Sequence, residues 1–412
     1  MKATGDDSLK IWKWTAVCAL LFCLLWQPAA RADLTRQETE KYGKVVEAVW
    51  VDETGAVCAG PEGYARVTYS YDGTETTERY YDAEGEPCQV AGGAFGLTVT
   101  RDGKRRVVGI VYLDEDGRKA LNALGYARVK IDYTSFDEVK NLTFYGEGKG
   151  PVVVPSLGYA SVKTEFRGKT MTRRTWMDDR GNPVDTPQGY AVLVQRINKK
   201  NQVLGVSFEH ADGTPATCAD GWSSSTRELD EEGREVCVKY YAADGSLTDR
   251  GAGYAWAQTE YVGRNERHIT RYDLSGEKTE APGGYTTLCQ TWQEDRVVLE
   301  TFLNAEGQRI LNREGVGAVR YDYDAAGRVV QVNYEDLGGS PCPCQAGYCG
   351  FRDTLDEAGR VVSRQYLGAD GLPTNLPEGY SEVRTSYDAA GTVLSTRYFD
   401  ENGIQVQTGP DA

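Results

Sequence analysis

The chain has 412 residues and a formal net charge of -15. A net acidic surface repels phosphate, so nucleic acid and anionic lipid are not expected as partners. The sequence contains 26 Tyr but only 9 Phe, which favours rings with a polar group at half-exposed positions, as in sheets with one wet face.

Residues 1–32 are predicted to be a signal peptide. Two lysines precede an apolar run from Trp14 to Trp26, and the small-residue site Ala30-Arg31-Ala32 follows. The run has 13 residues, fewer than the roughly 20 that span a bilayer, although an uncleaved anchor that starts at Ile11 stays an alternative. We therefore expect cleavage before Asp33 and export to the extracellular space, the cell surface or the periplasm, without an integral membrane span.

Residues 33–62 are predicted to form an N-terminal half-repeat or cap. The alternating stretch Val45–Val49 and the turn that follows it match only the second half of a repeat. Thr35 with Glu38 three residues later fits a capping box, which predicts a short helix that shields the first strand edge. The array is thus expected to begin in the middle of a repeat.

Residues 63–412 are predicted to form a tandem array, because a Gly-Tyr-Ala phrase recurs along them. From Gly63 to Gly379 there are 316 residues in ten steps, a mean period of 31.6. A period of about 20 to 50 residues is typical of repeat architectures, in which each unit buries its apolar face against its neighbours. The phrase begins at Gly63, Gly125, Gly158, Gly189, Gly221, Gly253, Gly284, Gly347 and Gly379, with degraded copies near Ala94 and Gly315.

Each repeat is predicted to contain a β-hairpin. In the ninth copy, Val319, Tyr321 and Tyr323 alternate with polar residues, and alternation resumes after the turn Asp324–Gly327. Asp followed by two residues and then Gly suits a type I turn closed by a left-handed glycine. Shorter turns at Asp72-Gly73, Asp102-Gly103 and Arg167-Gly168 fit two-residue primed turns.

A second turn ends each hairpin, often with a Pro two residues after its Gly, as at Pro87, Pro183, Pro215 and Pro373. Proline has no N–H to donate to a ladder, which predicts an edge or connection there. The fold class is therefore predicted to be all-β, with about 11 hairpin units of 31–32 residues that form an elongated or spiralled antiparallel sheet.

The phrases Tyr323–Arg328 and Tyr387–Thr392, with the weaker Leu355–Arg360, resemble the YD repeats of the Rhs family. The resemblance implies a spiralling antiparallel β-ribbon on an exported or surface protein. The period near 32 residues is longer than that of YD repeats, and no core-processing region or toxin module is seen. The Tyr-Tyr phrases at Tyr80–Gly85 and Tyr240–Gly245 are also faintly similar to wall-glycan-binding repeats.

Eight cysteines follow the predicted signal peptide, and an even count after export favours disulfides. Cys58 and Cys88 each lie three residues after a turn glycine, one period apart, and could bridge neighbouring repeats. The cluster Cys342, Cys344 and Cys349 lacks a paired CxxC or a nearby His, so no metal is expected there.

No catalytic site and no cofactor are predicted. After residue 32 the chain has only His210 and His268, in different repeat registers, and no Gly-x-Ser-x-Gly elbow. Acidic stretches such as Asp114–Gly117 lack the terminal Glu of an EF-hand and are better explained by turn chemistry.

The aromatic residue after each repeat glycine is the candidate binding constellation. If these rings line one edge, they present a row of stacking platforms for a glycan or an extended peptide, each weak but additive. Alternatively, each ring packs over the preceding turn and fixes the repeat register, which also suits degraded copies in which Phe95 and Val316 replace the Tyr. The candidates are Tyr64, Tyr126, Tyr159, Tyr190, Trp222, Tyr254, Tyr285, Tyr348 and Tyr380.

These features predict an exported, non-enzymatic repeat protein that recognises a cell-wall glycan, a host protein or another envelope protein through a long β surface. A structural shell or spacer related to Rhs-type delivery proteins is the alternative from another class. A glycan-active enzyme is the third, which no outstanding carboxylate pair favours.

Overall fold

The computed structural model describes residues 34–52, 54–60, 63–90, 92–356, 359–387 and 393–407. These residues form antiparallel β-strands joined by turns, and they contain no helix, hence none that could cross a membrane. The predicted all-β class and the tandem hairpins are confirmed. The predicted signal peptide, residues 1–32, lies outside the described residues.

The described residues divide into two compact units. Those up to Ser161, with those of the stretch Ser386–Ser395, form the first, and those of Val162–Thr385 and from Thr396 onward form the second. The strands of the first unit are β1 (Thr35–Lys41), β2 (Lys44–Val51), β3 (Arg66–Asp72), β4 (Glu75–Tyr81), β5 (Gly96–Arg101), β6 (Val107–Leu113), β7 (Arg128–Tyr133) and β8 (Val139–Tyr145).

The second unit continues the same pattern. Its strands are β9 (Ser161–Arg167, apart from Ser161 itself), β10 (Thr170–Met177), β11 (Val192–Ile197), β12 (Val203–Glu209), β13 (Ser224–Leu229), β14 (Glu235–Tyr241), β15 (Trp256–Val262), β16 (Glu266–Tyr272), β17 (Thr287–Gln293), β18 (Arg296–Leu303), β19 (Ala318–Tyr323), β20 (Val329–Glu335), β21 (Gly350–Leu355), β22 (Val361–Leu367) and β25 (Gln405–Val406). Strands β23 (Glu382–Tyr387) and β24 (Val393–Phe399) flank residues that are not described.

Consecutive strands pair as hairpins, and within each unit a hairpin also pairs with the one that follows it. Strands β1 and β2 share seven residue pairs, whereas β2 and β3 share three. A short connection follows the second strand of a hairpin and makes single bridges such as Tyr81 to Pro87 and Met177 to Pro183. The prediction that these prolines mark connections is therefore confirmed, because a single bridge does not need a proline N–H.

The N-terminal cap prediction is wrong in one respect. Residues Thr35–Lys41 form strand β1 rather than a helix, so the first copy is a complete hairpin. The capping-box spacing of Thr35 and Glu38 is outweighed by backbone pairing with β2, where Glu38 lies opposite Ala48. All seven residues of β1 are exposed and mostly polar, which suits a strand with one free edge.

The short turns are also formed by different residues from those predicted. Asp72 and Arg167 end their strands, so the two-residue loops are Gly73-Thr74 and Gly168-Lys169, and a left-handed glycine in the first position fits a type II′ turn. Asp102-Gly103 is not a two-residue turn. The Asp102 carbonyl accepts the N–H of Arg105, whose φ of 64° takes the place that glycine holds in other copies.

Candidate functional site: the aromatic stack and its two arginines

The tyrosine of the YD phrase joins one hairpin to the preceding hairpin. The Tyr323 hydroxyl donates a 2.6 Å hydrogen bond to the Val297 carbonyl, 26 residues earlier, and the Arg296 guanidinium lies 5.6 Å from the ring centre. The same arrangement recurs with a tyrosine, a carbonyl and the cation one residue before that carbonyl, in the sets Tyr71, Val45 and Lys44; Tyr133, Val107 and Arg106; and Tyr261, Glu235 and Arg234. We call this arrangement the tyrosine clamp.

The aspartate of the phrase holds its own turn closed. Asp324 accepts 2.9 Å hydrogen bonds from the N–H groups of Ala326 and Arg328, and Arg328 Nε adds a 2.7 Å bond to the second oxygen. The hydrogen bond from the backbone N–H of Arg328 is the main cause of the lowered pKa of Asp324. Asp114 likewise accepts the Arg118 N–H at 2.7 Å, which supports turn chemistry there. In the described ranges, no three His, Cys, Asp or Glu side chains are grouped closely enough to hold a metal ion.

The rings after the repeat glycines do not form an exposed row. They pack against rings from the second strand of each hairpin in what we call the aromatic stack. Tyr126, with 0% of its surface exposed, lies 5.5 Å from Tyr112 and 4.8 Å from Phe144 between ring centres, and Phe144 lies 6.1 Å from Tyr159. Such distances and tilts are those of attractive ring pairs.

The second unit contains longer runs of the aromatic stack. Tyr190 lies 5.4 Å from Trp176 and 4.4 Å from Phe208, which itself lies 4.9 Å from Trp222. A further run comprises Tyr334, Tyr348, Tyr366, Tyr380 and Tyr398. Of the nine predicted binding residues, Tyr64, Tyr126, Tyr159, Tyr190 and Tyr285 are buried, and Trp222, Tyr254, Tyr348 and Tyr380 are half-buried. These positions agree with the packing alternative, and ligand binding by the rings stays a prediction.

In one degraded copy the predicted equivalence is off by one residue. Ala94, which follows the left-handed Gly93, takes the buried place of the tyrosine, and Phe95 takes the place of the alanine. The hydrogen bonds show this, because Phe95 N–H donates to Leu113 just as Ala65 N–H donates to Tyr81. Val316 does replace the tyrosine, as predicted, and it is buried.

Arg271 occupies a position that carries a ring in the other described copies. At this position the backbone N–H donates to the carbonyl of the residue two places after the repeat glycine. Tyr240 donates to Ala255 in this way, and Arg271 donates to Thr286. The residues with this bond are Trp50, Tyr80, Tyr112, Phe144, Trp176, Phe208, Tyr240, Arg271, Tyr334 and Tyr366. Sequence reasoning missed Arg271, although aligning Arg271-Tyr272 with Tyr240-Tyr241 reveals it.

The two arginines lie between rings of the stack. Arg250 Cζ is 4.1 Å from the centre of Tyr240 and 5.2 Å from that of Tyr254. Arg271 Cζ is 5.5 Å from Tyr254 and 4.9 Å from Tyr285. The order Tyr240, Arg250, Tyr254, Arg271, Tyr285 thus alternates rings with guanidinium groups, which cation–π attraction stabilises.

Because side chains alternate along each strand, the hairpins have an opposite face, which carries polar residues together with buried apolar ones such as Leu113 and Leu367. One aromatic pair stands out there. The rings of Trp256 and Tyr272 are stacked at 3.9 Å with an angle of 7° between their planes, and both are half-buried. Lys239 Nζ lies 5.7 Å from the Trp256 ring centre, and the Tyr272 hydroxyl donates to Gln258 at 3.4 Å. This pair was not among the predicted site residues.

Two further sets of residues singled out from the sequence are the cysteines and the histidines. Cys58 and Cys88 have free thiols, so the predicted bridge between them is not formed in this structure. Burial raises the pKa of Cys88 to about 11. His210 Nδ1 lies 2.7 Å from Asp185, and His268 Nε2 lies 2.6 Å from Glu266.

No family model matches the chain, and no curated protein matches it. Solved structures that resemble it include the following three. The crystal structure of TcdB2-TccC3-TEV has a TM-score of 0.29 and 13% identity, covering 89% of this chain and 19% of that one. A Tc holotoxin pore from Photorhabdus luminescens has a TM-score of 0.23 and 11% identity, covering 90% and 17%. A porin-like protein from Bacteroides uniformis has a TM-score of 0.22 and 9% identity, covering 81% and 93%. Likenesses of this degree carry no argument about activity or partners.

Proposed function

We propose that the protein is an exported, non-enzymatic scaffold built from tandem β-hairpins. The observation that carries the proposal is the aromatic stack, in which the most regularly repeated side chains of the chain are used to hold hairpins together. The turn carboxylates are likewise engaged with backbone N–H groups, as at Asp324. Export is inferred from the residue pattern of positions 1–32.

A second candidate function is recognition through the face opposite the aromatic stack. The observation that favours it is the half-buried Trp256–Tyr272 pair, because a flat aromatic surface beside polar groups suits a sugar ring or an extended peptide. A wall glycan is the partner class to test first. The two candidates are compatible, since a scaffold can present one binding patch.

Two tryptophan variants separate these roles. In the scaffold role, Trp222→Ala removes a ring of the stack and lowers the free energy of unfolding by about 3 kcal/mol or more. In that case, either the wild type shows no retention on cell walls or on a glycan panel, or the Trp222→Ala variant is retained as well as the wild type. In the recognition role, Trp256→Ala loses saturable retention while its urea midpoint stays near that of the wild type.

The scaffold proposal is overturned by one result. If Trp222→Ala keeps wild-type stability but loses saturable glycan retention, the stack is a binding surface. Export is tested by N-terminal sequencing of the protein recovered outside the cytoplasm. A mature chain that begins at Asp33 supports export, whereas an intact N-terminus on a cytoplasmic protein contradicts it.

A further inference from the structure

Arg250 and Arg271 are stacked on rings but, within the described residues, lack the anionic partner that some other stacked arginines have. Arg234 stacks on Tyr261 and pairs with Asp230 at 2.6 Å, and Arg364 stacks on Phe351 and pairs with Asp353 at 2.6 Å. In the described part of the chain, neither Arg250 nor Arg271 has a carboxylate oxygen within 4.0 Å or a side-chain hydrogen bond.

Both guanidinium groups contain buried donors that lack an acceptor. Arg271 is 8% exposed, and its Nη1 is buried without a partner; the Nε of half-buried Arg250 is in the same state. A buried charge is costly unless it is paired, and an orphaned charged donor costs more than a neutral one. Stacking on a ring does not remove this cost, because the N–H groups lie in the guanidinium plane, away from the ring faces.

Both guanidinium groups contact the same ring. Their Cζ atoms lie within 5.5 Å of the centre of Tyr254, which places two full positive charges in one small region of an acidic protein. The backbone at Arg250 also departs from other repeats. Its φ is 60°, and its N–H donates to Thr248 Oγ1 at 3.3 Å, whereas the equivalent N–H groups of Cys218 and Ala281 donate to the carbonyl of the repeat aromatic. These features concentrate unpaired donors at one copy of the repeat.

We propose that Arg250 and Arg271, which both contact Tyr254, form a binding site for a small oxyanion. The ligand class is a carboxylate, sulfate or phosphate group, whose oxygens accept charge-assisted hydrogen bonds from in-plane guanidinium N–H groups. The rings of Tyr240, Tyr254 and Tyr285 hold the two side chains in place, so that binding does not have to order them. This proposal goes beyond the scaffold role, because it concerns a ligand rather than the packing of the hairpins.

The test is a titration of the purified protein with phosphate, sulfate or acetate against chloride at constant ionic strength. We expect Tm to rise with the logarithm of the concentration of at least one oxyanion, because a ligand that binds only the folded state stabilises it by mass action. Loss of a charged donor predicts binding at least about tenfold weaker in Arg271→Met, whose flexible apolar side chain fills the stack. The anion that gives the response identifies a carboxylate or a tetrahedral ligand.

A matched control and a second variant keep the test decisive. Arg234→Met removes a stacked arginine that has its own carboxylate, and it is expected to keep the wild-type anion response. If Arg271→Met does not fold, Arg250→Met at its half-buried turn gives the same comparison. The proposal is overturned if the Tm of the wild type does not rise with any of the oxyanions, or if the rise survives unchanged in the Arg271→Met or Arg250→Met protein.

Discussion

Tyr126 shows at the scale of one residue how the repeated aromatic packs. Its ring is fully buried between Tyr112 and Phe144. Removing a buried ring loses its transfer free energy and leaves a cavity that the neighbouring rings fill only in part. A side chain in this position stabilises two hairpins at once.

We therefore expect Tyr126→Ala to lower the free energy of unfolding by about 3–5 kcal/mol. Urea unfolding followed by circular dichroism measures it. Phe136→Ala is the matched control, because Phe136 is 51% exposed and its truncation is expected to have little effect. Equal midpoints for Tyr126→Ala and the wild type would contradict the buried stack.

The tyrosine clamp makes a smaller contribution at the same scale. Tyr323→Phe keeps the ring but removes the hydroxyl that bonds to the Val297 carbonyl, and we expect a loss of about 0.5–1.5 kcal/mol. Tyr42→Phe serves as the control, since Tyr42 is 94% exposed. The idea fails if the two variants shift the urea midpoint equally.

At the scale of elements, the hairpins were predictable and their exact turns were not. Period-two alternation around Asp324–Gly327 is a local signal, and the pairing of β19 with β20 follows it, with a bulge between Asp322 and Tyr323. Strand β1 was missed because its pairing with β2 is a tertiary effect that a capping-box spacing does not reveal. Arg105 could not be identified as a left-handed residue because glycine was the expected signal.

The face to which a ring points was also beyond sequence reasoning. The Gly-Tyr phrase located the nine aromatic residues, but their burial depends on rings that lie in other strands, such as Phe208 beside Tyr190. The same holds for Arg271, whose unusual environment comes from Tyr254 and Tyr285 rather than from its own sequence neighbours.

Two glycines of the hairpin turns provide a paired prediction. Gly327 has a φ of 80°, so Gly327→Ala places a Cβ in a left-handed residue and is expected to cost about 1–2 kcal/mol. Gly103 has no positive φ, and a Cβ added there would meet open space, so Gly103→Ala is expected to be neutral or stabilising by up to about 1 kcal/mol. The two Tm shifts should have different signs or clearly different sizes; a common shift would refute the turn assignment.

At the scale of the whole molecule, the repeated turn carboxylates give a pH dependence. The pKa of Asp52 is lowered chiefly by the Thr54 hydroxyl, that of Asp102 by Arg106, and that of Asp324 by the Arg328 N–H. A carboxyl whose pKa is lower in the folded state stabilises the fold above its unfolded pKa of about 3.9. That contribution is lost as the pH falls through the folded pKa.

We expect the free energy of unfolding to change little between pH 7 and 5 from these groups and to fall steeply below about pH 4. Urea midpoints at pH 7, 5 and 3 measure the effect. A variant with Asp52→Asn, Asp102→Asn and Asp324→Asn should lose less stability on acidification than the wild type. An equal loss in both proteins would assign acid sensitivity to other groups.

The tyrosine clamp has a consequence for how the chain can change in length. Each clamp joins a hairpin to its immediate predecessor over 26 residues and reaches no further along the sequence. Removing one whole period therefore joins two chain ends that have equivalent positions in the repeat. Duplicating one period inserts a hairpin whose tyrosine finds its carbonyl and cation in the preceding copy. Such a chain can gain or lose copies by recombination between repeats, while a deletion of half a period separates a tyrosine from its carbonyl and its cation.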